Sequence, residues 1–360
     1  MYECHGVKVT GIGHAYPETV VTNANVAAIL RTKRALAIAN GYAAEGDPRL
    51  VQFECDPAWI ETRTGICERR VAAPNEATSD FAAEAARRAL EASGLRPDVV
   101  EFLIVATVTP DHHASPGTAS IVQHALGIKA SAFDVSAACS SFVLGLEAGY
   151  HRIRSGCSKA GIVVGADVMT RIANLNDRST LPLFGDAAGA MVLEATRQEC
   201  DDFGPTHFCS GSDGAYASLI EIPAGGSRRA VSVEDIANPF TQTHKLCMDG
   251  REMFKIVVQR LADAIIPEAL RRAGVELGAV DAIVFHQANL RMIQAVQQRL
   301  GYRGIVPTNI QRFANTTSAS IPLCLAEALE TGEVRAGMRV LLVAFGGGLT
   351  WATALVRIGL

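Results

Sequence analysis

The stretch SGLRPDVVEFLIVAT, Ser93 to Thr107, shares its pattern with AGVELGAVDAIVFHQ, Ala273 to Gln287. Each runs from a helix end at a glycine, through a polar loop, into an apolar strand rich in β-branched residues. The elements that follow also correspond in order, and an internal repeat of this size constrains the whole architecture. We therefore expect two similar halves, residues 1–198 and 199–360.

The elements that follow the repeated stretch predict the layering. QHALGI in the first half and QQRLGY in the second each end a helix, and each half closes with two apolar strands that we expect to be joined by a turn. These pairs are AGIVVGAD with GAMVLEA, and MRVLLVAFGGG with WATALVRIG. Strands that are apolar on both faces and alternate with helices are typical of layered α/β folds.

Composition and charge exclude several classes of protein. With 49% hydrophobic residues among 360, the chain can bury a large core, and its net charge of -4 makes nucleic acid an improbable partner. Nine cysteines without CxxC pairs indicate reduced thiols and no zinc site. The N-terminus lacks a secretory signal, so we expect a cytoplasmic protein. The uncharged stretch Val340–Val356 is interrupted by glycines, which favours two buried strands over a membrane span.

Cys139 stands out among these cysteines by its position. It follows a predicted buried strand, Ala132–Ser136, and precedes residues at helical spacing that continue to Gly156. Although a free cysteine is by default a small core residue, the small flanking residues leave room for a substrate here. Because a helix N-terminus lowers a thiol pKa, we expect Cys139 to be a nucleophile.

His286 and Asn315 are the expected partners of this cysteine. His286 ends a second-half strand, and Asn315 occupies the place in the second half that Cys139 occupies in the first. Pseudo-symmetry would therefore bring the three side chains together. The order Cys, His, Asn also suits a papain-like protease, but no CGSCW-like segment is present. An α/β-hydrolase elbow needs glycines where Ala137 and Ser141 stand.

Several stretches, taken together and in order, resemble one known family over almost the whole chain. They are TRTGICERR, AAPNE, AFDVSAACSSF, VVGADV, DRSTLPLFGDAAGAMVL, SDGAY, FHQANLR, ANTTSASIP and AFGGGLTWATALVR. The chain resembles the β-ketoacyl-acyl carrier protein synthase III family, condensing enzymes of the thiolase superfamily. The resemblance implies a five-layered α/β/α/β/α subunit, usually a homodimer. It also implies acyl transfer from acyl-CoA to the cysteine and then decarboxylative condensation with malonyl-acyl carrier protein, without a metal or other cofactor.

The resemblance also implies roles for individual residues in the chemistry. Cys139 takes the acyl group, while neutral His286 and the Asn315 amide stabilise the enolate that decarboxylation leaves. The backbone of Gly347 completes an oxyanion hole, and Phe345 shields the decarboxylation site.

Binding roles follow from the same resemblance. Trp59 and Arg178 correspond to a pair that sandwiches adenine, and Arg63 to a phosphate contact. The pantetheine contacts would be Gly250 and Asn289, and the cations that meet the carrier protein would be Lys255 and Arg291.

The acyl pocket is where the chain departs from the family's acetyl-selective members. Ser115 stands where they carry a phenylalanine that reaches across the dimer, so we expect a deeper pocket, lined also by Met169 and Phe254. The segment from Asn23 to Trp59 is longer than in those members and predicts an additional helix near the entrance. A primer larger than acetyl is expected. Two other functions remain open: an acyltransferase of secondary metabolism that acts without decarboxylation, and a non-catalytic partner subunit.

Overall fold

The computed structural model of the chain describes residues 6–196 and 204–360. In chain order the strands are β1 (Gly6–Ala15), β2 (Val20–Thr22), β3 (Glu68–Arg70), β4 (Phe102–Ala106), β5 (Ser131–Val135), β6 (Ala160–Val168), β7 (Asp186–Thr196), β8 (Gly204–Ser212), β9 (Ile220–Glu221), β10 (Cys247–Met248), β11 (Ala282–Phe285), β12 (Arg339–Gly346) and β13 (Thr350–Arg357). The helices are α1 (Asn23–Ala39), α2 (Pro57–Thr64), α3 (Thr78–Ser93), α4 (Thr118–Ala125), α5 (Ser141–Arg154), α6 (Val233–Ala237), α7 (Gly250–Arg260), α8 (Ile266–Ala273), α9 (Leu290–Leu300), α10 (Ile310–Phe313) and α11 (Ser320–Glu330).

Two large sheets follow the same plan. The five-stranded sheet has the order β1-β7-β6-β4-β5, and the four-stranded sheet has the order β8-β13-β12-β11. In each, a parallel pair (β4 with β6, β11 with β12) adjoins two antiparallel pairings. The place of β5 is taken in the second sheet by a single parallel bridge between Ala282 and Ile305.

Helices occupy three layers around these sheets. α5 and α11 lie between the sheets and contact strands of both, while α3 and α4 cover the outside of the first sheet and α8 covers the second. One hydrophobic core joins the two sheets through α5 and α11, and separate cores fill the outer layers. The expected five-layered α/β/α/β/α fold is therefore confirmed.

The repeated stretch folds alike in both halves. α3 and α8 end at glycines in the left-handed region, Gly94 with φ 68° and Gly274 with φ 64°, where a side chain would be strained. A single 3-10 turn follows in each, and then β4 or β11 begins. The expected boundary between residues 198 and 199 lies outside the described residues and stays a prediction.

Two details of the first half differ from expectation. β5 is not a buried strand, since it forms the edge of its sheet and the Phe133 side chain is 36% exposed. β6 and β7 pair with each other but are joined by residues 169–185, not by a tight turn.

The uncharged stretch near the C-terminus does form two strands, β12 and β13. Among the described residues, no helix combines the length and apolarity that crossing a bilayer needs.

The long segment before Trp59 contains a helix, α1; that it is additional to the helices of the acetyl-selective members stays a prediction. Thr22 caps it by accepting a hydrogen bond from the Asn25 amide. Its buried residues Val26 and Leu30 belong to the same apolar cluster as Trp59, so α1 supports the wall that carries this tryptophan.

Candidate active site

One cavity of about 800 Å³ lies between the ends of the two sheets. It brings together thirteen of the fifteen residues expected at the site: Trp59, Arg63, Cys139, Met169, Arg178, Gly250, Phe254, His286, Asn289, Arg291, Asn315, Phe345 and Gly347. Lys255 and Ser115 are exposed and lie outside it. The expected pocket role of Ser115 therefore needs a second copy of the chain.

Cys139 lies in the turn that joins β5 to α5. The preceding residue, Ala138, has φ 51°, a conformation that costs a non-glycine residue about 1–3 kcal/mol. The turn is held from both sides: the Ser141 hydroxyl donates to the Ala138 carbonyl over 2.5 Å, and the Thr350 hydroxyl donates to the Ala137 carbonyl over 2.9 Å. Cys139 thus stands two residues before α5, held by residues of both halves.

His286 follows the last residue of β11 and is buried. Its amide donates to the Val343 carbonyl over 2.8 Å, and its Nδ1 lies 2.6 Å from the Ser320 hydroxyl. With Nδ1 engaged, Nε2 is the ring nitrogen that remains available to the cavity.

The backbone and the side chain of Asn315 are both fixed by hydrogen bonds. Its amide donates to the Leu183 carbonyl, and its carbonyl accepts from the Gly185 amide, at 2.9 and 3.1 Å. Its Oδ1 accepts from the Thr317 amide at 2.9 Å, which leaves the Nδ2 donors for the cavity. Residues 169–185 therefore help to position this amide. A connection of this length between β6 and β7 was not expected from the sequence.

Burial controls the ionisation of Cys139 and His286. It raises the pKa of the Cys139 thiol to about 12, with a further contribution from the nearby Asp167 carboxyl, although part of the cysteine faces the cavity. It lowers the pKa of His286 to about 3. The pKa of the Cys139 thiol is therefore raised, contrary to the expectation that the helix N-terminus lowers it, because burial removes the hydration that the thiolate needs. Near neutral pH the pair is a neutral thiol and a neutral imidazole.

The glycine turn between β12 and β13 contacts the cysteine directly. A Cβ on Gly346 would lie 2.7 Å from the Cys139 amide nitrogen, so only glycine fits there. Gly347 and Phe345 flank it in the cavity wall. This contact lets two backbone segments converge on one point, as an oxyanion hole requires.

Trp59 carries a guanidinium near its ring. The Arg178 Cζ lies 5.5 Å from the ring centroid, and the Arg63 Cζ lies 5.9 Å from it. An adenine between Trp59 and Arg178 needs roughly 7 Å, two van der Waals separations, so Arg178 has to move outward to admit it. Arg178 is meanwhile anchored to the long segment, since it donates to the carbonyls of Gln52 and Glu54.

Asn289 has a structural role in addition to its place in the cavity wall. It caps α9, with Oδ1 accepting from the Arg291 and Met292 amides, and its Nδ2 donates to the Arg63 carbonyl at 3.1 Å. Two residues of the site were not predicted from the sequence: Arg251, which lines the cavity beside Gly250, and Ser320, which holds His286. The position of Arg251 next to a predicted pantetheine contact could have indicated it.

No group of three or more His, Cys, Asp or Glu residues within 6–196 and 204–360 has the arrangement of a metal site. His112 and His113 are exposed residues in the loop before α4.

Comparisons with known proteins agree along the chain. The family model for 3-oxoacyl-[acyl-carrier-protein] synthase III matches residues 133–223, and the model for its C-terminal part matches residues 270–358. A β-ketoacyl-[acyl-carrier-protein] synthase III of Symbiobacterium thermophilum is 39% identical, with 98% of each chain covered. The crystal structure of 3-oxoacyl-[acyl-carrier-protein] synthase III from Aquifex aeolicus VF5 is 34% identical with a TM-score of 0.82, covering 98% of this chain and 100% of that chain. The priming β-ketosynthase from the R1128 polyketide biosynthetic pathway is 31% identical with a TM-score of 0.83, covering 100% of this chain and 98% of that chain.

Proposed function

The chain belongs to the 3-oxoacyl-[acyl-carrier-protein] synthase III family, and on that premise we propose how its residues divide the reaction. It is an acyltransferase of the condensing type that acts in fatty acid biosynthesis, with acyl-CoA and malonyl-acyl carrier protein as its substrates.

The first half-reaction moves the acyl group to Cys139. The Sγ–C bond forms as the C–S bond to coenzyme A breaks, and the thiol proton passes by way of His286 Nε2 to the leaving thiolate. Because the resting pair is neutral, deprotonation accompanies attack and does not precede it. The amides of Cys139 and Gly347 stabilise the oxyanion.

The second half-reaction decarboxylates the malonyl group. The C–CO₂ bond breaks and its electron pair stays on the α-carbon as an enolate, whose oxygen accepts hydrogen bonds from His286 Nε2–H and Asn315 Nδ2–H. The neutral ring carries its proton on Nδ1 when Nε2 accepts the thiol proton and on Nε2 in this step, and the Ser320 hydroxyl changes from acceptor to donor between the two half-reactions. This carbanion attacks the acyl carbonyl, the Sγ–C bond breaks, and the Cys139 thiolate takes up a proton from solvent as the product leaves. Phe345 keeps water from the site. No metal or organic cofactor takes part in this scheme.

Coenzyme A and the carrier protein use the mouth of the cavity. Trp59 and Arg178 hold the adenine by stacking, Arg63 contacts the phosphates, and Gly250 and Asn289 lie along the pantetheine. The exposed cations Lys255 and Arg291 meet the acidic carrier protein.

The edge strand β5 supports a homodimer. Its outer side presents unpaired backbone groups, and a second copy could pair with it. Ser115, exposed in one chain, would then reach the partner's pocket, beside Met169 and Phe254, and leave room for a primer larger than acetyl.

We place the enzyme in the cytoplasm, where both substrates and reduced cysteines are found.

The observation that carries the residue assignment is that Cys139, His286 and Asn315 line one cavity. The test is intact-protein mass spectrometry with a panel of acyl-CoAs, with and without malonyl-acyl carrier protein. We expect one acyl adduct that disappears in Cys139→Ala and is consumed when the malonyl substrate is added. Uptake of acyl group by Cys139→Ala would refute the assignment. An adduct that malonyl-acyl carrier protein leaves intact would favour transfer without decarboxylation.

A further inference from the structure

Asp167 is a buried carboxylate behind the cavity that the reaction scheme does not use. It lies near the end of β6 with 1% of its surface exposed, and it does not line the cavity. A buried carboxylate is costly unless its oxygens are hydrogen-bonded, so its partners indicate what it holds in place.

The two oxygens of Asp167 hold different halves of the chain. Oδ1 accepts from the Thr107 hydroxyl at 3.0 Å, the Val108 amide at 2.7 Å, and the amide and hydroxyl of Thr109 at 3.1 and 2.9 Å. Oδ2 accepts from the Ser318 amide at 2.9 Å. One side chain thus ties the segment after β4, whose Val108 lines the cavity, to the turn after Asn315.

This set of partners suits a carboxylate and not an amide. Three of the donors are backbone N–H groups, which can only donate. Burial raises the pKa of Asp167, and the hydrogen bonds from Val108, Ser318 and Thr109 offset part of that increase. An asparagine of the same shape would turn its own NH₂ toward either the Ser318 amide or the cluster around Thr109. At least one hydrogen bond would be replaced by two opposed donors.

The Ser318 turn is the backbone that orients Asn315. Thr317 has φ 51°, a strained conformation, and its amide donates to Asn315 Oδ1. A Cβ on Gly165 would lie 2.2 Å from the Ser318 carbonyl oxygen, so this turn packs directly on the backbone of β6. The bond from the Ser318 amide to Asp167 and the contact with Gly165 hold the strained turn from the same strand.

We propose that Asp167 is a positioning residue that keeps the Asn315 amide directed into the cavity by fixing the turn at Ser318. This rests on the function proposed above. It acts in the malonyl half-reaction, because Asn315 serves that step. The turn of Cys139 is held by the shorter bonds from the Ser141 and Thr350 hydroxyls, and the Ser318 hydroxyl adds only a contact of 3.5 Å to the Ala138 carbonyl. Asp167 contributes, after burial, to the raised pKa of the Cys139 thiol, so we expect its replacement by asparagine not to slow the acyl half-reaction.

The experiment compares wild type with Asp167→Asn in both half-reactions. In Asp167→Asn we expect self-acylation at least as fast as in wild type. Decarboxylation of malonyl-acyl carrier protein should be slower by up to about a hundredfold, and the KM for malonyl-acyl carrier protein should be unchanged. The matched control is Asp235→Asn, a carboxylate that is also buried but is bonded to Arg229, Ser232 and Thr243. It should leave both half-reactions unchanged.

The double variant of Asp167→Asn with Asn315→Ala distinguishes a role of Asp167 in positioning Asn315 from a general loss of structure. In an Asn315→Ala enzyme, Asp167→Asn should slow decarboxylation no further, since two residues acting through one group are not additive. An additional loss, or normal decarboxylation by Asp167→Asn alone, would overturn the proposal. If wild type itself did not decarboxylate malonyl-acyl carrier protein, the proposed function would fail instead.

Thr107→Val provides a variant that keeps the charge, in case Asp167→Asn does not fold. It removes one donor to Oδ1, and we expect a smaller loss of decarboxylation with self-acylation intact. An unchanged decarboxylation rate in Thr107→Val, with Asp167→Asn unfolded, would count against the proposal.

Discussion

The Nδ1 atom of His286 lies 2.6 Å from the hydroxyl oxygen of Ser320, the first residue of α11. Both groups are buried, so neither can exchange this bond for one to bulk water. Ser320 therefore fixes the orientation of the imidazole, with Nε2 directed toward the cavity.

Replacing Ser320 by Ala should lower kcat by up to about a hundredfold. Without this hydrogen bond the His286 ring can rotate, and Nε2 then leaves the position in which it can react. The KM for acyl-CoA should change little, since Ser320 does not line the cavity. Steady-state kinetics check both values. Ser155→Ala, on an exposed hydroxyl at the end of α5, is the control, and a kcat for Ser320→Ala equal to that of the control would contradict the prediction.

Replacing Asn315 by Ala should spare self-acylation and slow decarboxylation, because it removes one donor to the enolate. Loss of such a donor typically costs about a hundred- to a thousandfold in rate. Radiolabelled acyl-CoA reports the first step and release of CO₂ reports the second. If Asn315→Ala condensed at the wild-type rate, the role assigned to its amide would be wrong.

The pH dependence of stability should report the buried His286. Its pKa is about 3 in the folded protein against an ordinary value of 6.5. Between those values the unfolded chain binds the extra proton, so the free energy of unfolding falls as the pH drops below 6.5, by up to about 1.4 kcal/mol per pH unit.

Urea unfolding of wild type and His286→Asn between pH 4 and pH 8 measures this effect. The His286→Asn protein should lose less stability on acidification than wild type. Replacing the exposed His113 by Asn should leave the wild-type slope intact. Parallel curves for wild type and His286→Asn would show that the folded protein accepts a proton on this ring.

The primer preference should depend on Ser115. Each methylene that gains apolar cover is worth roughly 0.8 kcal/mol, so room for two more carbons favours a longer primer by about tenfold. We expect Ser115→Phe to restore preference for acetyl-CoA, whereas Ser115→Ala should not. The ratio of kcat/KM for acetyl-CoA to that for a branched or medium-chain acyl-CoA decides it. A ratio unmoved by the phenylalanine would show that this position does not set the pocket depth.

The repeat made much of the fold predictable. β4 and β11 are recognisable because each is a β-branched run after a glycine-capped helix, and their equivalence predicts that Cys139, His286 and Asn315 face one cavity. The resemblance to a known family supplied the binding residues, several of which line that cavity. Their roles stay predictions.

Features that depend on distant contacts could not be predicted from local pattern. The exposure of β5 depends on which strand stands at the sheet edge, and the thiol pKa of Cys139 depends on how much protein surrounds it. Ser320 and Asp167 lie in the stretches ANTTSASIP and VVGADV, but no periodicity distinguishes them from their neighbours. Only their partners in space reveal what they do.

The contact between Arg178 and Trp59 would distinguish the two carriers that deliver substrate, if the adenine binds where we propose. Coenzyme A would then have to separate the two side chains to insert its adenine, and would lose an attraction of about 0.5–1 kcal/mol before it gained its own stacking. The carrier protein bears the same pantetheine arm without a nucleotide, and its arm can enter while the two side chains stay together. On this proposal, coenzyme A breaks a contact at the cavity mouth that the carrier protein leaves intact, and we expect this difference to favour release of spent coenzyme A before the second substrate binds.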